Sequence, residues 1–185
     1  MDRVVYILGT RHEYQLNIDK CEPSATEEFS LYLGALCRLH GIKAIGEEMS
    51  ISVLEGHKIE QSIPAIFAKS FGDLPHKYCD PDHAVQKRMG IKLPIEMIML
   101  AKQENWSKEK FETLDWNNDL KREPYWLCQI QDLNLWPLLF ICGTKHVESF
   151  RKLLSVASFT VHIVNNTWEA QEDHMGNKGN KFIFA

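Results

Sequence analysis

Short runs of β-branched and aromatic residues alternate along the chain with segments whose apolar residues recur at helical spacing. Val4–Leu8 is the first such run and ends at Gly9, the pattern of a buried parallel strand. Residues 10–23 read as a loop. Ser24-Ala25-Thr26-Glu27 has the form of a capping box, with Ser24 as N-cap. It opens a helix whose apolar face is Phe29, Leu33, Leu36 and Leu39 or His40, stopped at Gly41. Ile42–Gly46 predicts a second strand, followed at once by Glu47-Glu48. Helical stretches come next near Ser50–Leu54 and Ile59–Phe71, the latter ended by Gly72. His76–Cys79 reads as a short third strand leading into Asp80-Pro81-Asp82, with Asp82 placed to cap a helix over His83–Met89. Further helix is predicted over Pro94–Gln103 and Lys108–Gln131. Leu138–Cys142 is the strongest buried-strand pattern in the chain. A helix over Val147–Val156 turns Phe150, Leu153 and Leu154 to the core, and Phe159–Val164 alternates as a last strand. Gln171–Asn180 is polar and predicts a loose tail.

Strands alternating with helices predict an α/β fold with a mostly parallel central sheet flanked by helices. The expected organisation is a single compact domain over 1–168 with a helical middle section, and a C-terminal tail over 169–185. With 185 residues, 44% hydrophobic and 25% charged, the composition excludes a disordered, collagen-like or coiled-coil chain. The longest apolar run, Leu133–Cys142, is broken by Asn134 and Pro137 and falls short of the ~18 residues of a membrane helix. Residues 1–9 lack the shape of a signal peptide, so a cytoplasmic protein without membrane association is expected. The 21 basic and 25 acidic residues give a formal charge of −4 and no wide basic face, so no nucleic-acid partner is expected. No basic stripe accompanies the five tryptophans, which read as core or lid surface. The five cysteines are odd in number and contain no Cys-x-x-Cys pair, which argues against a disulfide framework and a cysteine-type zinc site. Most of them are expected as buried thiols.

In parallel α/β sheets, ligands bind outside the carboxyl ends of the strands. After the first strand comes Gly9-Thr10-Arg11-His12, after the second Glu47-Glu48, after the third Asp80-x-Asp82, and after the strong late strand Gly143-Thr144-Lys145-His146. A Gly-Thr-basic-His tetrad therefore occurs twice, each time directly after a buried strand. Glycine lets the chain turn off the sheet, and the histidine three residues on can reach the crevice. Two imidazoles and one or two carboxylates meeting there have the chemistry of a divalent-metal site for Zn, Mn or Co, with His12, His146 and Glu48 as ligands. They have equally the chemistry of a metal-free His/Glu acid–base pair. Strand alternation sends Glu47 and Glu48 to opposite sides, so only one of them enters the crevice. Asp80 and Asp82 read as turn and cap residues.

The order of these motifs resembles the TraB/Tiki/erythromycin-esterase/ChaN-like superfamily. The resemblance lies in Gly9-Thr10-Arg11-His12 after the opening strand, Glu47 or Glu48 after the second, Arg122-Glu123-Pro124-Tyr125-Trp126, and Gly143-Thr144-Lys145-His146 before a helix and final strand. It touches about residues 4–49 and 119–168, with Trp126 standing where the family usually has Met or a small residue. The resemblance implies metal-dependent proteolysis as in Tiki-like members, ester or lactone opening by His and Glu as in erythromycin-esterase-like members, or haem binding as in ChaN-like members. It implies His12 and His146 as metal ligands or acid–base pair and Glu47 or Glu48 as ligand or general base. Arg122 would hold the carboxylates or oppose an oxyanion. The expected function is a small hydrolase acting on a small-molecule or peptide substrate, with a non-catalytic ligand- or haem-binding module as the alternative. The helical middle section is expected to cap the crevice or to form a homodimer face.

Overall fold

Alternation along each strand sorts its side chains onto two faces, and both faces are covered. The computed structural model describes residues 2–16 and 23–170. Its strands are β1 (Val4–Thr10), β2 (Ala44–Glu47), β3 (His76–Tyr78), β4 (Leu138–Gly143) and β5 (Thr160–Trp168). They form one sheet in the order β3-β2-β4-β1-β5 with every pairing parallel. The helices are α1 (His12–Leu16), α2 (Pro23–His40), α3 (Ile51–His57), α4 (Ile63–Ser70), α5 (His83–Arg88), α6 (Pro94–Gln103), α7 (Lys108–Leu120), α8 (Glu123–Leu133) and α9 (Val147–Val156), with a 3₁₀ turn over Thr144–His146. The predicted α/β architecture is the observed one.

Val5 and Ile7 of β1 and Leu138, Phe140 and Cys142 of β4 pack with Trp126 and Ile130 of α8 and Phe150 and Leu154 of α9. Leu8, Ile45, Leu139 and Ile141 face the other way, onto Phe29 and Leu33 of α2 and Ile63 and Phe67 of α4. The chain therefore leaves β1 for the face of α2 and leaves β4 for the face of α9. Because β1 and β4 are neighbours, their connections part to opposite faces and open a crevice between their carboxyl ends, as at a topological switch point.

Several expected boundaries shift. The segment read as a loop over 10–23 contains the short helix α1, and α2 already begins at Pro23, which puts Ser24 inside its first turn rather than at its N-cap. Leu39 is exposed, whereas His40 stacks on Tyr6 with ring centroids 4.2 Å apart. The helix expected over Lys108–Gln131 is two helices, broken at Lys121–Arg122, with Pro124 in the first turn of the second. Strand β5 runs to Trp168, through two register irregularities against β1. Asp82 caps α5 as expected, its Oδ1 accepting the Val85 N–H at 2.8 Å. Cys37, Cys79 and Cys142 are buried free thiols, and Cys128 is exposed. Cys21 and the tail expected over Gln171–Asn180 lie outside the described residues. No described helix is long and apolar enough to cross a membrane.

At Gly9 the close approach of β5 and α9 leaves no room for a side chain. A methyl group there would lie 2.1 Å from the Asn166 carbonyl oxygen and 2.6 Å from Val147 Cγ2. Gly9→Ala should therefore cost at least ~1–3 kcal/mol, the usual penalty for overpacking. Urea unfolding measures it, and an unchanged midpoint would contradict this packing.

Candidate functional site

The parity of β2 decides which glutamate enters the crevice. Ile45 faces α2 and α4, so Glu47, two residues on, does too; Ala44 faces α8 and α9, and Glu48 continues that series. Glu48 is almost fully buried, with every bond made by a different part of the chain. Its Oε1 pairs with Arg122 Nη2, and its Oε2 accepts the Gly143 N–H at 2.7 Å. Arg122 in turn donates from Nε to Asp80 Oδ1 at 2.8 Å and from Nη1 to Asp119 Oδ1 at 3.5 Å. Trp126 Nε1 donates to the same Asp80 oxygen at 2.8 Å. Burial pushes the Glu48 carboxyl up, but Arg122, His12, His146 and the Gly143 N–H together outweigh it and hold Glu48 below the ordinary glutamate range. Burial raises Asp80, and Arg122 offsets this only in part.

Both histidines of the repeated tetrad turn Nε2 toward one oxygen. His12 Nε2 lies 3.7 Å and His146 Nε2 3.8 Å from Glu48 Oε1. Gly143 makes the approach feasible: a methyl group there would sit 3.2 Å from His12 Nε2 and 3.3 Å from Glu48 Oε2. The two rings are mounted differently. The His146 side chain is 4% exposed, its Nδ1 is 2.8 Å from Glu123 Oε1, and Ser149 Oγ donates to the same oxygen at 2.5 Å. Trp116 packs against it in a tilted arrangement and Trp126 in a T-shaped one, with centroids at 5.1 and 4.8 Å. The His12 side chain is 49% exposed, and its Nδ1 meets Gln15 Oε1 at 2.8 Å.

The structure thus brings His12, His146, Glu48 and Arg122 together and directs Glu47 elsewhere. Glu47 is fully buried on the other face, where Oε1 accepts from Ser62 Oγ and pairs with His76 Nε2 at 2.8 Å, and Oε2 accepts from Gln15 Nε2 at 3.2 Å. Asp80, read from the sequence as a turn residue, is a buried partner of Arg122. Glu123, visible in sequence only as the neighbour of Arg122, orients His146. Nothing in its spacing indicates this role, because α8 meets the turn after β4 only in three dimensions. Of the two roles open to Arg122, the observed one is holding carboxylates: each edge of its guanidinium is engaged.

The crevice has two lobes that share His12, Glu48, Asp119 and Arg122. One, of about 310 Å³, has an apolar wall of Leu16, Met49, Val53, Ile91, Leu93 and Pro94. The other, of about 370 Å³, has no aliphatic side chain among its described lining residues, which include Thr144, Lys145 and His146. Part of the helical middle section walls the first lobe, where Asn118 of α7 bonds both the N–H and the C=O of Lys92, at 2.8 and 2.7 Å. Among the described residues, acidic groups outnumber permanent cations in the first lobe, with Glu48, Asp80, Asp115 and Asp119 beside Lys92 and Arg122.

Two imidazole nitrogens and a carboxylate have the composition of a divalent-cation site, and such ions bind N and O donors at ~2.0–2.2 Å. Here Glu48 Oε1 already carries the guanidinium of Arg122, and Oε2 carries a backbone N–H. A cation at this carboxylate would stand against a fixed positive charge. Among the described residues, no three His, Cys, Asp or Glu side chains are grouped so as to hold a metal ion. The side chains as arranged do not fit one.

Removing Arg122 strands buried charge. Arg122→Met should cost ~3–5 kcal/mol in urea unfolding, because Glu48 and Asp80 then lose their counter-charge; a cost below 1 kcal/mol would mean that the pairing is not structural. Glu48 also carries a pH signature. Its depressed folded value means that its ionised form stabilises fully above the ordinary 4.5 and that this contribution fades as pH falls below it. The stability gap between the native chain and Glu48→Gln should narrow on acidification through that range, and a pH-independent gap would contradict the assignment. Comparison with family models, curated proteins and solved structures finds no match to this chain.

Proposed function

We propose that the protein is a hydrolase of an uncharged carbonyl compound, an ester or lactone in the first instance, working by imidazole acid–base chemistry. One observation carries this reading: two imidazoles present Nε2 to one buried carboxylate in an open cleft while their Nδ1 atoms are engaged behind them. His146, backed by Glu123, is suited to be the general base. Its Nε2 takes a proton from water as the water oxygen bonds to the carbonyl carbon. His12, half exposed and common to both lobes, is suited to protonate the leaving oxygen as the carbon–oxygen bond breaks. Water is thereby added across the bond, and solvent returns the proton from His146 to His12. Glu48, kept ionised, steadies positive charge on either ring, and Arg122 keeps Glu48 in place. The apolar lobe suits the acyl part of the substrate. The acidic lining disfavours phosphoesters and other anions.

This chemistry is of the kind that the resemblance to erythromycin-esterase-like proteins implies. The metal-dependent alternative requires Glu48 to exchange Arg122 for the ion, and the haem-binding alternative requires an iron ligand from the same histidines.

General acid–base groups contribute ~10²–10⁴-fold to rate. On a panel of p-nitrophenyl esters and lactones, His146→Ala and His12→Ala should each lose at least ~10²-fold in kcat with an unchanged circular dichroism spectrum. Retained turnover in either variant would reject the mechanism. Activity should survive EDTA. Stoichiometric Zn, Mn or Co with EDTA-sensitive turnover would replace this reading by the metal-dependent one, and a Soret band in the purified protein would replace it by haem binding.

A further inference from the structure

We propose that Glu47, buried on the face of the sheet away from the cleft, sets the tautomer of His12 through the side-chain amide of Gln15, confining proton exchange by His12 to Nε2. The consequence for turnover rests on the hydrolytic reading above; the tautomer itself does not.

The argument is one of donor and acceptor matching along a buried chain. An ionised carboxylate only accepts. Glu47 Oε1 is already occupied by Ser62 Oγ and by His76 Nε2 at 2.8 Å, and Oε2 faces Gln15 Nε2 at 3.2 Å. Gln15 is fully buried, so its amide has no water to turn to. With the NH₂ group committed to Glu47, the amide oxygen must face His12, and it lies 2.8 Å from Nδ1. An amide oxygen cannot donate, so Nδ1 must carry the hydrogen. Turning the amide over would bring its oxygen against a carboxylate oxygen and leave two buried acceptors opposed. Neutral His12 is therefore held with hydrogen on Nδ1 and a lone pair on Nε2, the tautomer that free histidine disfavours. Nε2 is the atom that lies 3.7 Å from Glu48 and faces the cleft. Glu47 and Gln15 touch no substrate in this scheme and are positioning residues. His146 receives the same treatment directly from a carboxylate, Glu123, whereas at His12 an amide transmits it.

The relay makes a prediction that a purely structural role does not. In Glu47→Gln, the new amide keeps its oxygen toward Ser62 and His76 and turns its NH₂ toward residue 15. Gln15 then presents oxygen to residue 47 and NH₂ to His12, and the His12 tautomer inverts. Adding Gln15→Glu to that variant places a carboxylate where it accepts from both neighbours and restores the original tautomer.

Two-bond ¹H–¹⁵N correlation spectra of the full chain labelled with ¹⁵N-histidine read this directly, with His12 assigned by its loss in His12→Ala. The expected results are Nδ1–H in the native chain, Nε2–H in Glu47→Gln, and Nδ1–H again in the Glu47→Gln/Gln15→Glu double variant. Turnover should fall ~10²-fold in the single variant and recover in the double. If Glu47→Gln does not fold, Gln15→Leu serves instead, since losing the acceptor should return His12 to Nε2–H. Nε2–H in the native chain, or a tautomer indifferent to residues 47 and 15, overturns the proposal whatever the activity. The expected tautomers in a protein that hydrolyses nothing uphold the relay and reject the hydrolytic reading.

Discussion

A buried carboxylate at the end of a central strand is tolerable only when a positive charge and hydrogen-bond donors meet it there. Glu48 is that carboxylate, and the site is organised around meeting its demand. The charge comes from Arg122 at the entrance to α8, and the backbone donor from Gly143 at the end of β4. Arg122 in turn needs Asp80 and Asp119, and Asp80 needs Trp126. The first turn of α8 thus touches three parts of the site at once: Arg122 holds Glu48, Glu123 holds His146, and Trp126 packs on His146 while bonding Asp80. Polar groups tied this closely fix one arrangement of the strand ends, since displacing any member leaves another buried without a partner.

Within that frame the two histidines are not equivalent. His146 is buried, packs against Trp116 and Trp126, and is tied to a carboxylate. His12 sits on a helix of five residues, is half exposed, and is steadied by an amide. In the hydrolysis proposed above, this difference suits His146 to the part of base and His12 to that of acid. The lobes on either side of His12 differ correspondingly, one walled by aliphatic groups and the other by the polar turn after β4.

The sheet order explains why these particular groups meet. Strands β1 and β4 are far apart in sequence but adjacent in space, and their connections leave to opposite faces. The two Gly-Thr-basic-His turns therefore flank one crevice. Strand β2 lies beside β4 and delivers Glu48 to the same edge, with Glu47 opposite Ile141 in the ladder and Glu48 one residue beyond.

Much of this was legible along the chain. Apolar runs such as Val4–Leu8 and Leu138–Cys142 specify buried strands because nothing else accommodates them, and the glycine ending each marks a turn off the sheet. The repeated tetrad and the paired glutamates were visible as candidate chemistry for the same local reason. The sequence could also say that Glu47 and Glu48 part company, since strand alternation is a local property. It could not say which goes where, because that depends on which face α8 covers. Asp80 looked like a turn residue and Glu123 like a neighbour of Arg122, because their partners are 42 and 23 residues away along the chain. Local chemistry determines strands, turns and which side chains are available to react. Strand order and helix placement decide which of them share a buried space, and only within that space do charge pairing and hydrogen-bond matching assign each its part.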